Sequence, residues 1–127
     1  MSKTMTISTV VTVGDEVIRG TDTRTGGLLK SVDETIAGSA SGVTVALAID
    51  VSAMKAFVVS AVDGPLVVTF NGPDLEFSLE GGETITYVPK TDVPPIFGVT
   101  DVTSVSVDNE ESTDARLRIE VLLDPTP

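Results

Sequence analysis

AFVVSAVDGPLVVTFN (residues 56–71) and LEFSLEGGETITYV (residues 75–88) are the stretches from which the fold is read. Ala56–Val62 and Leu66–Asn71 are apolar, β-branched runs, and Asp63-Gly64-Pro65 between them is a turn sequence. Such runs suit buried strands, and their spacing predicts that the second pairs back on the first as a hairpin. Gly72-Pro73-Asp74 marks the next turn. Leu75, Phe77 and Leu79 then alternate with Glu76 and Ser78, which is the period of a half-buried strand with the apolar set inward. Gly81-Gly82 leads into Glu83–Val88, where Ile85 and Tyr87 share a face.

The same grammar extends in both directions. Towards the C-terminus, Pro89–Gly98 contains Pro94-Pro95, which cannot lie in a central strand. Val102–Asp108 sets Val105 and Val107 against Ser104 and Ser106. Asn109–Thr113 reads as an exposed acidic turn. Ala115–Leu123 puts Leu117, Ile119 and Val121 inward and Arg116, Arg118 and Glu120 outward. Towards the N-terminus, Asp50–Met54 reads as one helical turn capped by Asp50 or Ser52. Val43–Ile49 is a buried strand, Gly38–Gly42 a flexible turn, and Ser31–Ala37 a short strand. Thr4–Val13 is a first strand with Met5, Ile7, Val11 and Val13 on one face. No other strand is assigned beside it, so it reads as an edge strand, a natural docking point for another chain. Residues 14–30 read as a long loop with at most a short strand at Glu16–Arg19. Loops beyond about 12–15 residues are uncommon in compact domains and are functional or mobile connectors.

Composition agrees. Of the 127 residues, 20 are Val and 17 Thr, and no window keeps the apolar spacing of an amphipathic helix. The expectation is a single all-β domain over residues 1–127, an antiparallel β-sandwich or jelly roll of about eight or nine strands.

Absences narrow the function. The chain has no His, Cys or Trp. It therefore holds no Ser-His-Asp or Cys-His nucleophile, no Cys/His zinc site and no disulfide. Its formal charge of −11 opposes nucleic acid and anionic lipid, since phosphate binding is driven by Lys and Arg. No stretch reaches the roughly 20 apolar residues of a membrane span. MSKTMTIST lacks the apolar run of a secretory signal. The charge is uneven. Residues 1–30 carry Lys3, Arg19, Arg24 and Lys30 against Asp15, Glu16 and Asp22, and all the net negative charge lies beyond them. A near-neutral arm on an acidic body suggests that the arm faces a partner.

The remaining chemistry rests on carboxylates. Glu76 with Glu80, and Asp108 with Glu110 or Glu111, are the available acid–base pairs. Alternation places Glu76 on the outer face, where a solvated carboxylate serves poorly as an acid at neutral pH. Asp108–Glu111 with Asp114 is an oxygen-rich turn that lacks EF-hand spacing. Phe57, Phe70 and Phe77 belong to strands and read as core. Ile96 and Phe97 either fold back over the open end of the sandwich or pack on a partner subunit. Arg116 and Arg118 share one face. They serve either an interface, where planar guanidinium forks pair well with carboxylates, or a cross-strand surface ion pair.

Three stretches carry a resemblance: SVDETIAGSASGVTVALAIDVSAMKAFVVS (31–60), VVTFNGPDLEFSLEGGETITYVP (67–89) and DVTSVSVDNEESTDARLRIEVLLDPTP (101–127). In this order, with AIDVSAMK leading into a strand and LLDPTP closing the chain, they resemble a family of small tailed-bacteriophage capsid decoration (cement) proteins. One departure is Tyr87, where the resemblance leads one to expect Trp. The resemblance implies a non-enzymatic virion protein, often a homotrimer, on the outer surface of the capsid. Its partner is the major capsid protein, and no cofactor, nucleic acid, membrane or catalytic residue is implied. The expected capsid contacts are the first strand and residues 14–30, with Arg19, Arg24, Leu28, Leu29 and Lys30. The expected subunit contacts are Ile96, Phe97, Arg116 and Arg118. The alternative reading is a carbohydrate- or calcium-dependent binding module of a fibre or surface adhesin. A carboxylate-based hydrolase is the third.

Overall fold

A computed structural model describes residues 3–72, 75–90, 95–98 and 100–124. Part of the Gly72-Pro73-Asp74 turn, Pro94 of the Pro94-Pro95 pair and the Pro125-Thr126-Pro127 tail lie outside them. The strands are β1 (Lys3–Val13), β2 (Glu16–Gly26), β3 (Leu28–Ile36), β4 (Val43–Val45), β5 (Met54–Val62), β6 (Leu66–Phe70), β7 (Leu75–Leu79), β8 (Thr84–Tyr87), β9 (Val105–Asp108) and β10 (Ala115–Leu123). A single 3-10 turn, Val51–Ala53, is capped by Asp50, whose carboxylate accepts from the Ser52 N–H.

Eight of these strands form a sandwich of two antiparallel sheets, ordered β3-β10-β5-β8 and β4-β9-β6-β7. The pairs β3·β10, β4·β9, β5·β8 and β6·β7 are nested, like one long hairpin rolled on itself about the β6–β7 turn. That is the jelly-roll arrangement. The all-β sandwich is as expected from alternation. The total is ten strands among the described residues, because β1 and β2 make a separate two-stranded ribbon.

Two expectations are corrected. Ala56–Val62 and Leu66–Asn71 are not a hairpin: β5 lies in one sheet and β6 in the other, so Asp63-Gly64-Pro65 carries the chain across the sandwich. Alternation reports which face a strand buries, not which strand it pairs with. Residues 14–30 are not a loop. Glu16–Gly26 pairs residue for residue with Lys3–Val13, and β3 begins at Leu28 rather than Ser31.

The core lies between the sheets. Leu117, Ile119, Val121 and Leu123 of β10 face it, as do Phe57, Val59 and Ala61 of β5. Phe57 and Phe70 meet edge-to-face across the sandwich at 5.9 Å between ring centroids. Leu122 pairs with Ala56 but Leu123 pairs with Met54, which leaves Lys55 as an extra residue. This bulge turns Met54 towards the core, while Ala56 stays on the outer face with Leu122.

Asn109 is the single buried polar side chain among the described residues, with 1% of its surface exposed. Its amide donates to the Ile36 and Thr113 carbonyls at 3.1 and 2.9 Å, and its Oδ1 accepts from the Glu111 N–H at 3.0 Å. The acidic turn is thereby fastened to the end of β3.

A candidate docking arm

The ribbon starts as a local event. Gly14-Asp15 is a two-residue loop between Val13 and Glu16, and only its first member has positive φ, +59°. Gly at that position is the type II′ requirement, and its twist matches that of the flanking strands. β-branched residues on both sides then extend the ladder to Lys3↔Gly26.

Only the root of the ribbon touches the body. Met5 and Ile7 pack on Ala56, Val88 and Leu122, an apolar patch on the outer face of the β3-β10-β5-β8 sheet. The Lys90 ammonium pairs with the Asp22 carboxylate at 3.1 Å. Gly26 sits where a Cβ would come within 2.4 Å of the Leu123 carbonyl oxygen, so only glycine lets the ribbon leave the body there. From Ser8 to Thr21 every residue is exposed. At about 3.4 Å per residue, this distal half is an arm on the order of 20 Å long.

The arm ends in apolar side chains. Val10, Val11, Val13, Val17 and Ile18 are 45–61% exposed, and with Leu28 and Leu29 they are the exposed large hydrophobics of the chain among the described residues. Opposed residues of an antiparallel pair share a face. One face therefore carries Val11, Val13 and Ile18, and the other Val10, Val17 and Arg19. The ribbon has three basic residues (Lys3, Arg19, Arg24) and three acidic ones (Asp15, Glu16, Asp22), so it is neutral and the body carries the net −11.

The residues expected to dock divide. Arg19 is exposed on the arm. Arg24 lies at its root, half-buried, and donates to the neighbouring Thr23 carbonyl. Leu28 and Leu29 begin β3 and are 41% and 40% exposed. Lys30 turns away and donates to the Ala48 carbonyl at 2.7 Å, spanning the open side of the sandwich between β3 and the chain beyond β4. The five apolar tip residues lie within the strand and the stretch expected to dock, although the sequence reading singles out none of them as a contact. The Gly14-Asp15 pair between β-branched runs is the signal that finds them.

The residues expected between subunits make contacts within the chain. The Phe97 ring lies 5.1 and 5.2 Å from those of Phe57 and Phe70, and Ile96 packs on the same core. Of the two readings of Ile96 and Phe97, the structure has the one in which they fold back onto the core. Arg116 makes a two-pronged ion pair with Asp33 of β3, and Arg118 lies 3.8 Å from Glu120. The hydrogen bond from Arg116, with its charge and that of Arg118, holds the Asp33 carboxyl below its ordinary pKa; the Arg116 guanidinium is raised in turn.

The carboxylates are disposed as turn caps and surface groups. Glu76 and Glu80 are exposed and border an open groove with Asp108, Glu110 and Glu111. Asp108 Oδ1 accepts from the Gly42 N–H at 2.6 Å, and Asp114 Oδ1 from the Gly38 N–H at 3.0 Å. Among the described residues no group of three or more acidic side chains is placed to hold a metal ion. No family model, curated protein or solved structure matches the chain.

Proposed function

We propose that this chain is a non-enzymatic adhesion protein of a virion surface. In this reading it is a capsid decoration protein that attaches to the major capsid protein through its β1–β2 arm and stiffens the shell. The observation that carries the reading is the exposed apolar arm tip, Val10 to Ile18, held out from an acidic body by a seated root. Apolar side chains gathered at the end of a projection mark a contact surface rather than a scatter of exposed residues. Burying the surface that these five Val and Ile side chains still expose is worth roughly 1 kcal/mol each before the costs of association. The acidic body supports the same reading, because its charge keeps decorated particles apart. A jelly roll alone does not select among shell proteins, lectins and enzymes. The choice rests on the arm and on the sequence resemblance.

The test is co-sedimentation with undecorated phage heads. The native protein is expected to pellet with them. A Val11→Asp/Ile18→Asp variant, which alters no side chain that touches the body, is expected to stay in the supernatant with an unchanged circular dichroism spectrum. Equal pelleting of the two, or no pelleting of the native chain, overturns the proposal.

A further inference from the structure

The arm has two long edges, and they differ. β2 carries Glu16, Arg19, Asp22 and Arg24 and is interrupted by Gly20. Charges and glycines of this kind protect an exposed edge from pairing with another strand. β1 has no such guard. From Thr4 to Val13 it is an uninterrupted run of Thr, Ser, Val, Ile and Met without charge, Gly or Pro. The sheet pairings of the described residues leave its outer edge without a partner.

The pattern of main-chain groups along that edge follows from the turn. A two-residue hairpin loop is closed by a hydrogen-bonded pair, here Val13↔Glu16. Odd-numbered residues of β1 therefore bond to β2, and Thr4, Thr6, Ser8, Val10 and Thr12 direct their N–H and C=O outward. The side chains agree. Thr4 and Thr25 hydroxyls are 3.4 Å apart, as are those of Thr6 and Thr23, which is the close approach of non-hydrogen-bonded pairs.

We infer that the β1 edge pairs with the β1 edge of a second copy, antiparallel, about a two-fold axis through Ser8. Full overlap of residues 3–13 with themselves opposes Ser8 to Ser8, Thr6 to Val10 and Thr4 to Thr12. All of these are outward-facing residues, so the register that matches the strand ends also matches the hydrogen bonds. Five outward residues on each strand then give about ten intermolecular bonds. On one face Met5 comes opposite Val11. The only charged residue of the strand, Lys3, comes opposite Val13.

Two further features favour a copy as the occupant. An isolated two-stranded ribbon is marginal in water, and among the described residues the exposed half of the arm has no third strand; pairing supplies a third and a fourth. Antiparallel arms also point the two bodies, each net −11, away from each other across a neutral four-stranded sheet. Side chains leave a sheet perpendicular to its edge, so Val10 and Val17, on the face turned away from the bodies, stay presented. This contact is separate from any three-fold contact between bodies and does not rest on attachment to a shell.

The experiment is analytical ultracentrifugation of the native chain, Ser8→Lys, Ser8→Glu and an equimolar mixture of the two variants. The native chain is expected to sediment at twice its 13.2 kDa mass or a multiple of that. Each charged variant places like charges opposite each other on the axis and is expected to dissociate roughly tenfold more readily or worse. The mixture is expected to re-associate. Ser8→Pro removes an outward N–H that β2 does not use and is expected to give monomer, while Thr21→Pro on the guarded edge leaves the dimer intact. A monomeric native chain, an assembly unaffected by Ser8→Lys, or variants that fail to re-associate on mixing each overturn the pairing. A monomer that still pellets with heads ends this inference alone, whereas a dimer that ignores heads ends the shell reading alone.

Discussion

Asp22 on β2 and Lys90 beyond β8 form an ion pair, with Nζ 3.1 Å from Oδ1, that ties the arm to the body 68 residues away in sequence. Both side chains are partly exposed, so the pair contributes at most about 1 kcal/mol. The larger share of the seating is apolar, from Met5 and Ile7 on Ala56, Val88 and Leu122. Lys90→Ala is therefore expected to change global stability little. Ile7→Asp is expected to release the root, so that hydrogen exchange quickens at Met5, Ile7 and Leu122 while the amides of Leu117 and Val59 stay protected.

Gly26 and Gly27 are neighbours with opposite tolerance. A Cβ at Gly26 meets the Leu123 carbonyl oxygen at 2.4 Å, and one at Gly27 meets nothing within 4 Å. Gly26→Ala is expected to cost about 2 kcal/mol or more through backbone displacement at the arm's root, and Gly27→Ala less than about 0.5 kcal/mol. Urea unfolding of the two variants measures the contrast, which disappears if the arm does not sit against β10.

Asn109 satisfies three main-chain groups from a buried position. Asn109→Ala leaves them unpaired and is expected to lower stability by roughly 2–4 kcal/mol, at about 1 kcal/mol or more for each lost bond. Asn109→Asp removes both donors and adds a buried charge, so it is expected to do at least as much damage. Thermal unfolding separates this from a surface effect, for which both changes would be near zero.

Asp33 titrates below its ordinary value of 3.8 because Arg116 bonds to its charged form. A depressed carboxyl contributes stability that is fully present above the unfolded-state pKa and is lost as pH falls through the folded one. Asp33→Asn is thus expected to narrow the stability difference from the native chain as the solution is acidified below pH 3.8, with the full difference retained at neutral pH. Melting temperatures of both proteins across that range test the sign. The pair is solvent-exposed, so the effect is small.

Phe97 touches the rings of both sheets. Phe97→Ala is expected to cost about 2–3 kcal/mol, less than a fully buried Phe, through the void it leaves beside Phe57 and Phe70. A loss of that size at any protein concentration marks a ring that belongs to its own subunit. A loss seen only where the protein is associated would return Phe97 to an interface.

Alternation was legible wherever a strand has one wet and one dry face. Ala115–Leu123 and Leu75–Leu79 have the bounds and the inward residues that were read from them. β2 was not legible in that way, because neither of its faces is buried along most of its length. EVIRGTDTRTG has no apolar period, and its strand character comes from β1 beside it and from the two-residue turn. Met54 ends the helical turn as read from the sequence, and it is also a core residue, which alternation did not reveal because a single extra residue at Lys55 reverses its direction. Lys30, Arg116 and Phe97 had the right chemistry for contacts, and the fold supplied partners for all three within the chain.

The order of residues along the chain settled the class of structure, the inward set of most strands and the chemistry the protein lacks, since each depends on neighbours two positions apart or on composition alone. Folding in three dimensions decided which sheet each strand joins, that Glu16–Gly26 doubles back on the first strand, and that five valine and isoleucine side chains end in water. Those outcomes depend on which distant edges and faces find each other, and a period-two pattern is the same whichever partner is chosen.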